Sequence, residues 1–221
     1  MLANTEGGNT NDKNLDFYNN IGVDPFRLMA EVGGFDSYVD LELVYEYIKD
    51  AKALVELGAG YGRCIDFLIK KKYRGQIFGV EYSPMLAMHL SDHYSQHAKI
   101  LQQDIKKLKL PIKVDIALWM WSGFIDFTEI EQQHCINILS AQLNDGGKLI
   151  MDLPKFGVQT FAQHSDKQHI HFESPYGSLD CFIPNLENLE KYALVGGFKK
   201  VTMKDYKTAT EKERSLYILY K

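Results

Sequence analysis

The stretch from Lys52 to Arg63, KALVELGAGYGR, decides which fold this chain can adopt. It opens with a short apolar run that carries one acid, Glu56, and it ends in three closely spaced glycines, Gly58, Gly60 and Gly62. An amphipathic helical pattern follows at once, so the stretch predicts a buried strand, a tight turn and a helix N-terminus. Because glycine has no side chain, a ligand can approach the backbone of such a turn closely.

Two classes of cofactor use a glycine turn of this kind, and the spacing separates them. A dinucleotide-binding turn has the pattern Gly-x-Gly-x-x-Gly, whereas the third glycine here comes one position early. The pattern apolar-apolar-Glu-apolar-Gly-x-Gly-x-Gly resembles motif I of the class I S-adenosylmethionine (SAM)-dependent methyltransferases. The resemblance implies that Gly58, Ala59 and Gly60 lie against the cofactor. It also implies that Glu56 acts on the ammonium group of SAM or on the hydrogen bonds of the turn.

A second match to the same family lies at the end of the next predicted strand. Glu81 follows Gly62 by 19 residues, an interval that brings the carboxyl end of a second parallel strand beside the first. Residues 81–85, EYSPM, continue as in the family, with a proline at the first helical position. The resemblance implies that Glu81 accepts hydrogen bonds from both ribose hydroxyls, and that Tyr82 and Met85 flank the adenine.

The next two predicted strands extend the match. Asp104 follows the third strand, where the family places an acid that accepts a hydrogen bond from the exocyclic amine of adenine, and Ile105 would pack on the ring. The fourth strand leads into an aromatic run where the resemblance places the transferring methyl group. A sulfonium is a cation, which aromatic faces can stabilise. Trp119 is therefore a cofactor candidate, and Trp121 and Ser122 are acceptor candidates, although core packing explains either tryptophan equally well.

The domain limits are predicted from changes in composition. Residues 1–14 are rich in Asn, Thr, Gly and Asp and predict a disordered tail, and residues 15–221 predict a single domain. Within it, residues 15–50 predict helices that, in the resembled family, fold over the cofactor as a lid. Tyr18 is the acceptor candidate of this lid. Simple packing of the lid aromatics onto the domain is an alternative of equal weight.

Residues 154–184 are the other segment expected on the acceptor side. Polar and apolar residues alternate there around residues 175–177, which predicts a hairpin. Family members commonly determine acceptor specificity in such an insertion, so His171 is a further acceptor candidate. His164, His169 and His171 raise a metal site as an alternative. No metal is predicted, because no fourth ligand is apparent and the alternation accounts for the last two as one strand face.

Composition narrows the class of protein. With 221 residues, 45% apolar, the chain can build one packed domain. A net charge of −4 is unlike that of a nucleic-acid-binding surface, which needs a basic excess.

The three cysteines are odd in number and lack CxxC spacing, which indicates reduced thiols. No apolar run approaches the roughly 18–20 residues of a membrane span. We therefore expect a soluble, cytoplasmic protein with a small-molecule partner and no nucleic-acid or membrane partner.

Together these patterns predict an α/β fold of the class I methyltransferase type, a seven-stranded, mostly parallel Rossmann-like sheet. A helical N-terminal lid and a C-terminal antiparallel hairpin, about 199–206 and 214–220, complete it. The predicted function is methyl transfer from SAM to a nitrogen or oxygen of a small molecule, with S-adenosyl-L-homocysteine as product. No catalytic side chain is obligatory, because positioning accounts for most of the catalysis. The alternatives are an NAD-dependent oxidoreductase and a non-catalytic SAM-binding or interaction protein of the same fold.

Overall fold

The computed structural model describes residues 10–158 and 162–221 and contains helices, strands and two 3-10 turns. Its elements follow in the order α1 (Thr10–Ile21), α2 (Val23–Gly33), α3 (Val39–Ile48), β1 (Ala53–Leu57), α4 (Arg63–Lys70), β2 (Gln76–Glu81), α5 (Pro84–Tyr94), β3 (Lys99–Gln102), a 3-10 turn (Ile105–Lys107), β4 (Val114–Trp119), a second 3-10 turn (Gly123–Asp126), α6 (Glu129–Gln142), β5 (Leu143–Pro154), β6 (Gln163–His164), β7 (His169–Ser174), β8 (Gly177–Phe182), α7 (Leu186–Val195), β9 (Lys200–Lys207) and β10 (Glu213–Tyr220).

The main sheet has seven strands in the order β3-β2-β1-β4-β5-β10-β9. Strands β1 to β5 pair in parallel, and β10 runs antiparallel to both β5 and β9. This topology confirms the predicted seven-stranded sheet and its C-terminal hairpin. The strand order reverses between β1 and β4. Open α/β sheets bind ligands at such a reversal, next to the carboxyl ends of the strands.

Both faces of the sheet are covered, which explains why β1 is an almost continuous apolar run. All five residues of β1 are buried. Val55 and Leu57 belong to the core on the side of α6 and α7. Leu54 points to the opposite face and belongs to the core formed with α3, α4 and α5. A strand buried on both faces brings Glu56 into the interior, where a carboxylate needs a specific reason to be present.

The first helix corrects the predicted tail of residues 1–14. Residues 1–9 lie outside the described part of the chain, but α1 begins at Thr10, and Asn14 is only 1% exposed. Its side-chain amide donates to the backbone carbonyl oxygens of Asp126 (3.1 Å) and Asp180 (3.0 Å). Composition predicted disorder because asparagine is polar; the structure buries it because these two distant carbonyls satisfy its amide.

The connection from α6 to β5 follows the local sequence pattern only in part. Residues 128–131, TEIE, have the pattern of a capping box, and Thr128 forms that box with Glu131. The glycines at 146 and 147 predict a turn at the end of the helix, but no such turn forms. Helix α6 ends at Gln142, β5 begins directly at Leu143, and a register shift between Val114 and Ile116 of β4 takes up the extra residues of β5. An irregular strand pair can absorb such residues without leaving the sheet.

The predicted hairpin of the 154–184 segment is present, with Ser174 paired to Gly177 at its tip. The short β6 joins it in a separate three-stranded sheet, which the sequence pattern did not reveal because β6 has only 2 residues. This small sheet packs against α1, where the ring of Phe17 makes edge contacts with Phe172 and Tyr176. Helix α1 and the small sheet of the insertion therefore pack together as one continuous layer.

Within residues 10–158 and 162–221, none of the helices combines the length and the apolar character that crossing a membrane requires.

Candidate functional site

A cavity opens at the carboxyl edge of the main sheet, where β1, β2 and β4 end. Its empty volume, which includes the open mouth, is about 900 Å³. The predicted site residues that line it are Tyr18, Glu56, Gly58, Ala59, Gly60, Glu81, Tyr82, Asp104, Ile105, Trp119 and Trp121. The other lining residues are Leu15, Phe26, Tyr61, Arg63, Cys64, Met120, Gly123, Asp126 and Phe127.

The glycine turn after β1 forms one wall of this cavity. Gly58 and Gly60 have φ angles of +63° and +57°, a left-handed conformation that strains any residue with a Cβ. A Cβ on Gly58 would meet nothing within 4 Å, so this backbone faces open space. A Cβ on Gly60 would lie 2.9 Å from Cε1 of Phe26, a side chain of α2. The turn is thus open at Gly58 and closely covered by the N-terminal helices at Gly60.

Glu81 ties the end of β2 to this turn. Its Oε2 accepts a hydrogen bond of 2.8 Å from the backbone N–H of Gly60, and its Oε1 accepts from Tyr82 (2.8 Å) and Ser83 (2.9 Å). Burial raises the pKa of Glu81, and the three backbone donors oppose that rise. The carboxylate therefore has a structural function in the turn that the sequence analysis did not foresee.

Glu56 is the most unusual polar group of the cavity. It is 4% exposed, and its Oε2 has no hydrogen-bond partner in the described part of the chain. Burial raises its pKa to about 7, although a hydrogen bond from Cys64 and the nearby Arg63 act in the opposite direction. A buried carboxylate oxygen without a donor costs free energy. Such a group is typical of a site that gains a cationic or hydrogen-bond-donating ligand.

An ion pair holds the aromatic run after β4 in place. Trp121 and Ser122 have φ angles of +52° and +71°. The backbone N–H of Trp121 donates to Oδ2 of Asp152 (3.2 Å), and Arg214 donates to the same oxygen (2.6 Å) and to Oγ of Ser122 (2.7 Å). Ser122 is thus engaged by Arg214 and is not among the described lining residues. Sequence reasoning missed Asp152 and Arg214, because the two residues are 62 positions apart in sequence.

The two tryptophans differ in their surroundings. Trp119 is 1% exposed and contacts the rings of Phe124 and Phe127 edge-on, so most of it belongs to the core although it also reaches the cavity. Trp121 is only half-buried and stacks on Phe26, with ring centroids 4.9 Å apart and an interplanar angle of 24°. Aromatic residues that follow β4 and aromatic residues of the N-terminal helices thus pack against each other.

Among the lining residues that the sequence analysis missed, Asp126 is the one best suited to acid–base chemistry. It is 8% exposed and ends the 3-10 turn after β4. Its Oδ2 accepts a 2.7 Å hydrogen bond from the hydroxyl of Tyr18, and its Oδ1 accepts from the thiol of Cys181 at 3.5 Å. Burial raises its pKa to about 6. The available signal was a single acid inside an otherwise apolar run, residues 124–127.

Two other predicted residues lie elsewhere. Met85 and His171 are not among the described lining residues. The imidazole of His171 instead bonds to Asp180 (2.6 Å) and Glu173 (2.7 Å) on the small sheet, and the bond to Asp180 is the main reason that its pKa is raised. The alternation of polar and apolar residues correctly predicted that His171 lies in a strand. The direction in which its side chain points is set by the packing of β7 and β8.

The two histidine side chains of the insertion that the structure describes, those of His169 and His171, are paired with carboxylates. The ring of His169 pairs with Asp166 at 2.8 Å, and the side chain of His164 lies outside the described residues. In the part of the chain that the structure describes, no group of three or more His, Cys, Asp or Glu side chains is arranged to hold a metal ion.

Comparison with known proteins identifies the fold. No family model matches the chain, and no curated protein matches it. Solved structures do match. Magnesium protoporphyrin IX methyltransferase from Synechocystis PCC 6803 with bound SAM superimposes with a TM-score of 0.69 at 15% identity, over 98% of this chain and 100% of that one. A Burkholderia thailandensis 1,6-didemethyltoxoflavin-N1-methyltransferase with bound S-adenosylhomocysteine gives 0.67 at 12% identity, over 99% and 93%.

A third match, the sugar N-methyltransferase KedS8 from Streptoalloteichus, has a TM-score of 0.63 at 14% identity, over 85% of this chain and 87% of that one. The chain thus has the Rossmann-like fold of the class I SAM-dependent methyltransferases, as the motifs around Gly58 and Glu81 predicted. At these identities the comparison establishes the fold, and the function must be argued from the cavity.

Proposed function

We propose that this protein is an enzyme that transfers a methyl group from SAM to a small molecule. The observation that carries the proposal is the unpartnered Oε2 of Glu56, buried in the cavity wall beside the open backbone of Gly58. SAM carries an ammonium group, which can donate hydrogen bonds to this oxygen and offset the cost of its burial. NAD has no ammonium group, so the same oxygen disfavours the oxidoreductase alternative.

The other lining residues fit the remaining parts of SAM. When bound, SAM supplies a methyl group activated by its sulfonium. Glu56 would hold the ammonium group, and Gly58, Ala59 and Gly60 would leave room for the methionyl part. Oε1 of Glu81 already accepts from two backbone donors, but Oε2 accepts from one only and would accept from a ribose hydroxyl.

The adenine and the sulfonium would meet the apolar part of the wall. Tyr82, Asp104 and Ile105 line the cavity together and would surround the adenine. Trp119 and Trp121 would face the cationic sulfonium, which aromatic rings stabilise. The protein's contribution to the reaction is then positioning: the acceptor is aligned with the methyl group.

Residues 15–50 would act as a lid, and residues 154–184 would contact the acceptor. Leu15, Tyr18 and Phe26 of α1 and α2 line the cavity, which supports the first assignment. The contact of Phe17 with Phe172 and Tyr176 links the insertion to the same cover. The three similar structures described above are methyltransferases of magnesium protoporphyrin IX, of 1,6-didemethyltoxoflavin and of a sugar. These substrates support a small-molecule acceptor.

Calorimetric titration with SAM, S-adenosylhomocysteine and NAD tests the cofactor. We expect the first two ligands to bind, NAD not to bind, and Glu56→Gln to weaken the binding of SAM by tenfold or more. Glu190→Gln, the same change at an exposed position of α7, is the matched control. Binding of NAD alone, or wild-type SAM affinity in Glu56→Gln, would overturn the proposal. Transfer of labelled methyl to any small molecule then separates an enzyme from a non-catalytic SAM-binding protein.

A further inference from the structure

We propose that Asp126 binds the methyl acceptor and takes a proton from it, and that the acceptor is an amine. This inference rests on the proposed function and deepens it, because it names the acceptor class and the residue that selects it. Motif I and the acids after β2 and β3 do not involve Asp126. It comes instead from the 3-10 turn that leads away from β4.

The position of Asp126 leaves part of its carboxylate available. The hydroxyl of Tyr18 and the thiol of Cys181 donate to Oδ2 and Oδ1, but a thiol is a weak donor, and a carboxylate has about four acceptor sites. The backbone carbonyl oxygen of Asp126 accepts from the amide of Asn14, which fixes the turn against α1. Asp126 is therefore a rigidly held carboxylate in the cavity wall that can accept further hydrogen bonds.

The charges around Asp126 select a cation. The groups that face it are Tyr18 from α1, Cys181 from β8 and Glu81 from β2, and none of them is positively charged. Arg63 is the single cation among the described residues that line the cavity. Its guanidinium already forms a buried pair with Asp40 and donates to the carbonyl oxygen of Phe35 at 3.1 Å.

These charges disfavour the other acceptor classes on electrostatic grounds. A carboxylate acceptor would enter a wall of buried acids in which none of the described side chains is a cation free to pair with it, which is unfavourable. A phenol or an alcohol would have to lose its proton and form an anion against the same wall. An ammonium enters as a favourable ion pair with Asp126 and becomes a neutral amine when it gives up a proton.

The proposed step balances in protons and electrons. The acceptor binds as an ammonium, and one N–H proton passes to Oδ1 of Asp126, which leaves a lone pair on nitrogen. That lone pair forms the new N–C bond as the S–C bond breaks, and the positive charge of the sulfonium passes to the methylated nitrogen. The product leaves as an ammonium, and the proton on Asp126 passes to water, so Asp126 returns to its ionised form.

Burial prepares Asp126 for this task. Because desolvation raises its pKa to about 6, it is a stronger base than an ordinary aspartate and is still mostly ionised at neutral pH. The hydrogen bond from Tyr18 acts against the rise. Tyr18 is thus a positioning residue, because its hydroxyl fixes Oδ2 and with it the orientation of the carboxylate.

The test is methyl transfer from labelled SAM to matched acceptors. We would use benzyl, phenethyl and cyclohexyl compounds, each as the amine, the alcohol and the carboxylic acid, together with phenol. We expect label in amines only. We expect Asp126→Asn to lower kcat/KM for the amine by about a hundredfold or more, with the Kd for SAM unchanged. Asp145→Asn, the same change at an exposed position, is the control and should match the wild type.

The pH profile separates catalysis from structure. The wild-type kcat/KM should fall at low pH with an inflection near 6, and Tyr18→Phe should move that inflection upward because a hydrogen bond that lowers the pKa of Asp126 is lost. Label in an alcohol or an acid, no label in any amine, or undiminished amine turnover by Asp126→Asn would overturn the inference. Failure of the wild type to bind SAM would instead refute the proposed function.

Discussion

The backbone N–H of Gly60 donates a hydrogen bond of 2.8 Å to Oε2 of Glu81, so the acid that ends β2 fastens the turn that follows β1. Tyr82 and Ser83 donate to the other oxygen of the same carboxylate. Two motifs that are separate in sequence thus form one hydrogen-bonded unit. A substitution at position 81 consequently acts on the turn and, under the proposed function, on cofactor binding as well.

Replacement of Glu81 by alanine should therefore lower stability as well as SAM affinity. It removes the acceptor of three backbone N–H groups at a buried site, which we expect to cost about 2–4 kcal/mol in the free energy of unfolding. Glu81→Gln keeps an acceptor oxygen and should cost less. Urea unfolding without ligand, followed by calorimetry with SAM on the folded variants, measures the two effects. Wild-type stability in Glu81→Ala would show that these hydrogen bonds contribute nothing.

Glu56→Gln should stabilise the ligand-free protein in a pH-dependent way. The folded protein raises the pKa of Glu56 from 4.5 to about 7, so ionisation is disfavoured in the native state, and stability falls as the pH rises through this window. The neutral amide removes that penalty. We expect no gain at pH 4 and a gain of up to about 3 kcal/mol at pH 8. Unfolding in urea at pH 4, 6 and 8 measures it, with Glu190→Gln as control; an equal gain at every pH would contradict this origin.

Alanine at Gly58 and at Gly60 should give different defects. Both positions have positive φ, so each change should cost about 1–2 kcal/mol in stability. At Gly58 the new methyl group meets nothing within 4 Å and occupies the open space of the cavity, so Gly58→Ala should fold but lose SAM affinity. At Gly60 it would lie 2.9 Å from Phe26 and displace that ring from its stack on Trp121.

Tryptophan fluorescence and calorimetry distinguish the two glycine variants. The emission of Trp121 should change in Gly60→Ala and stay close to wild type in Gly58→Ala. Loss of SAM affinity without a spectral change identifies a direct steric effect in the cavity. Identical spectra and identical SAM affinities for the two variants would refute the difference that the structure predicts.

Arg214→Met should be among the most destabilising single changes. It leaves the carboxylate of Asp152 buried without its ion-pair partner, which typically costs about 3–5 kcal/mol. The double variant Arg214→Met with Asp152→Leu removes both charges and should cost less than the sum of the single changes. A double-mutant cycle by urea unfolding measures the coupling energy. Additive effects would show that the pair contributes no stabilisation.

Local sequence was sufficient for much of the sheet. The strand, glycine turn and helix around Gly58 were predicted correctly because their pattern involves residues close in the chain. The same holds for the capping box at Thr128 and the hairpin at 175–177. Predictions failed where a distant partner decided the outcome. Asn14 was assigned to a tail because its composition is polar, yet two carbonyls more than 100 residues away satisfy its amide.

The sequence by itself determined the fold and most of the cavity wall. Parallel strands bring their carboxyl ends to one edge, so Glu56, Glu81 and Asp104 meet there whatever the details of packing. Tertiary structure alone decided the state of each carboxylate: Glu81 satisfied by backbone donors, Glu56 left with an unpartnered oxygen, and Asp126 buried against Tyr18 and Cys181. The physical reason is that burial and hydrogen bonds set the charge and reactivity of an acid, and both come from segments remote in the chain.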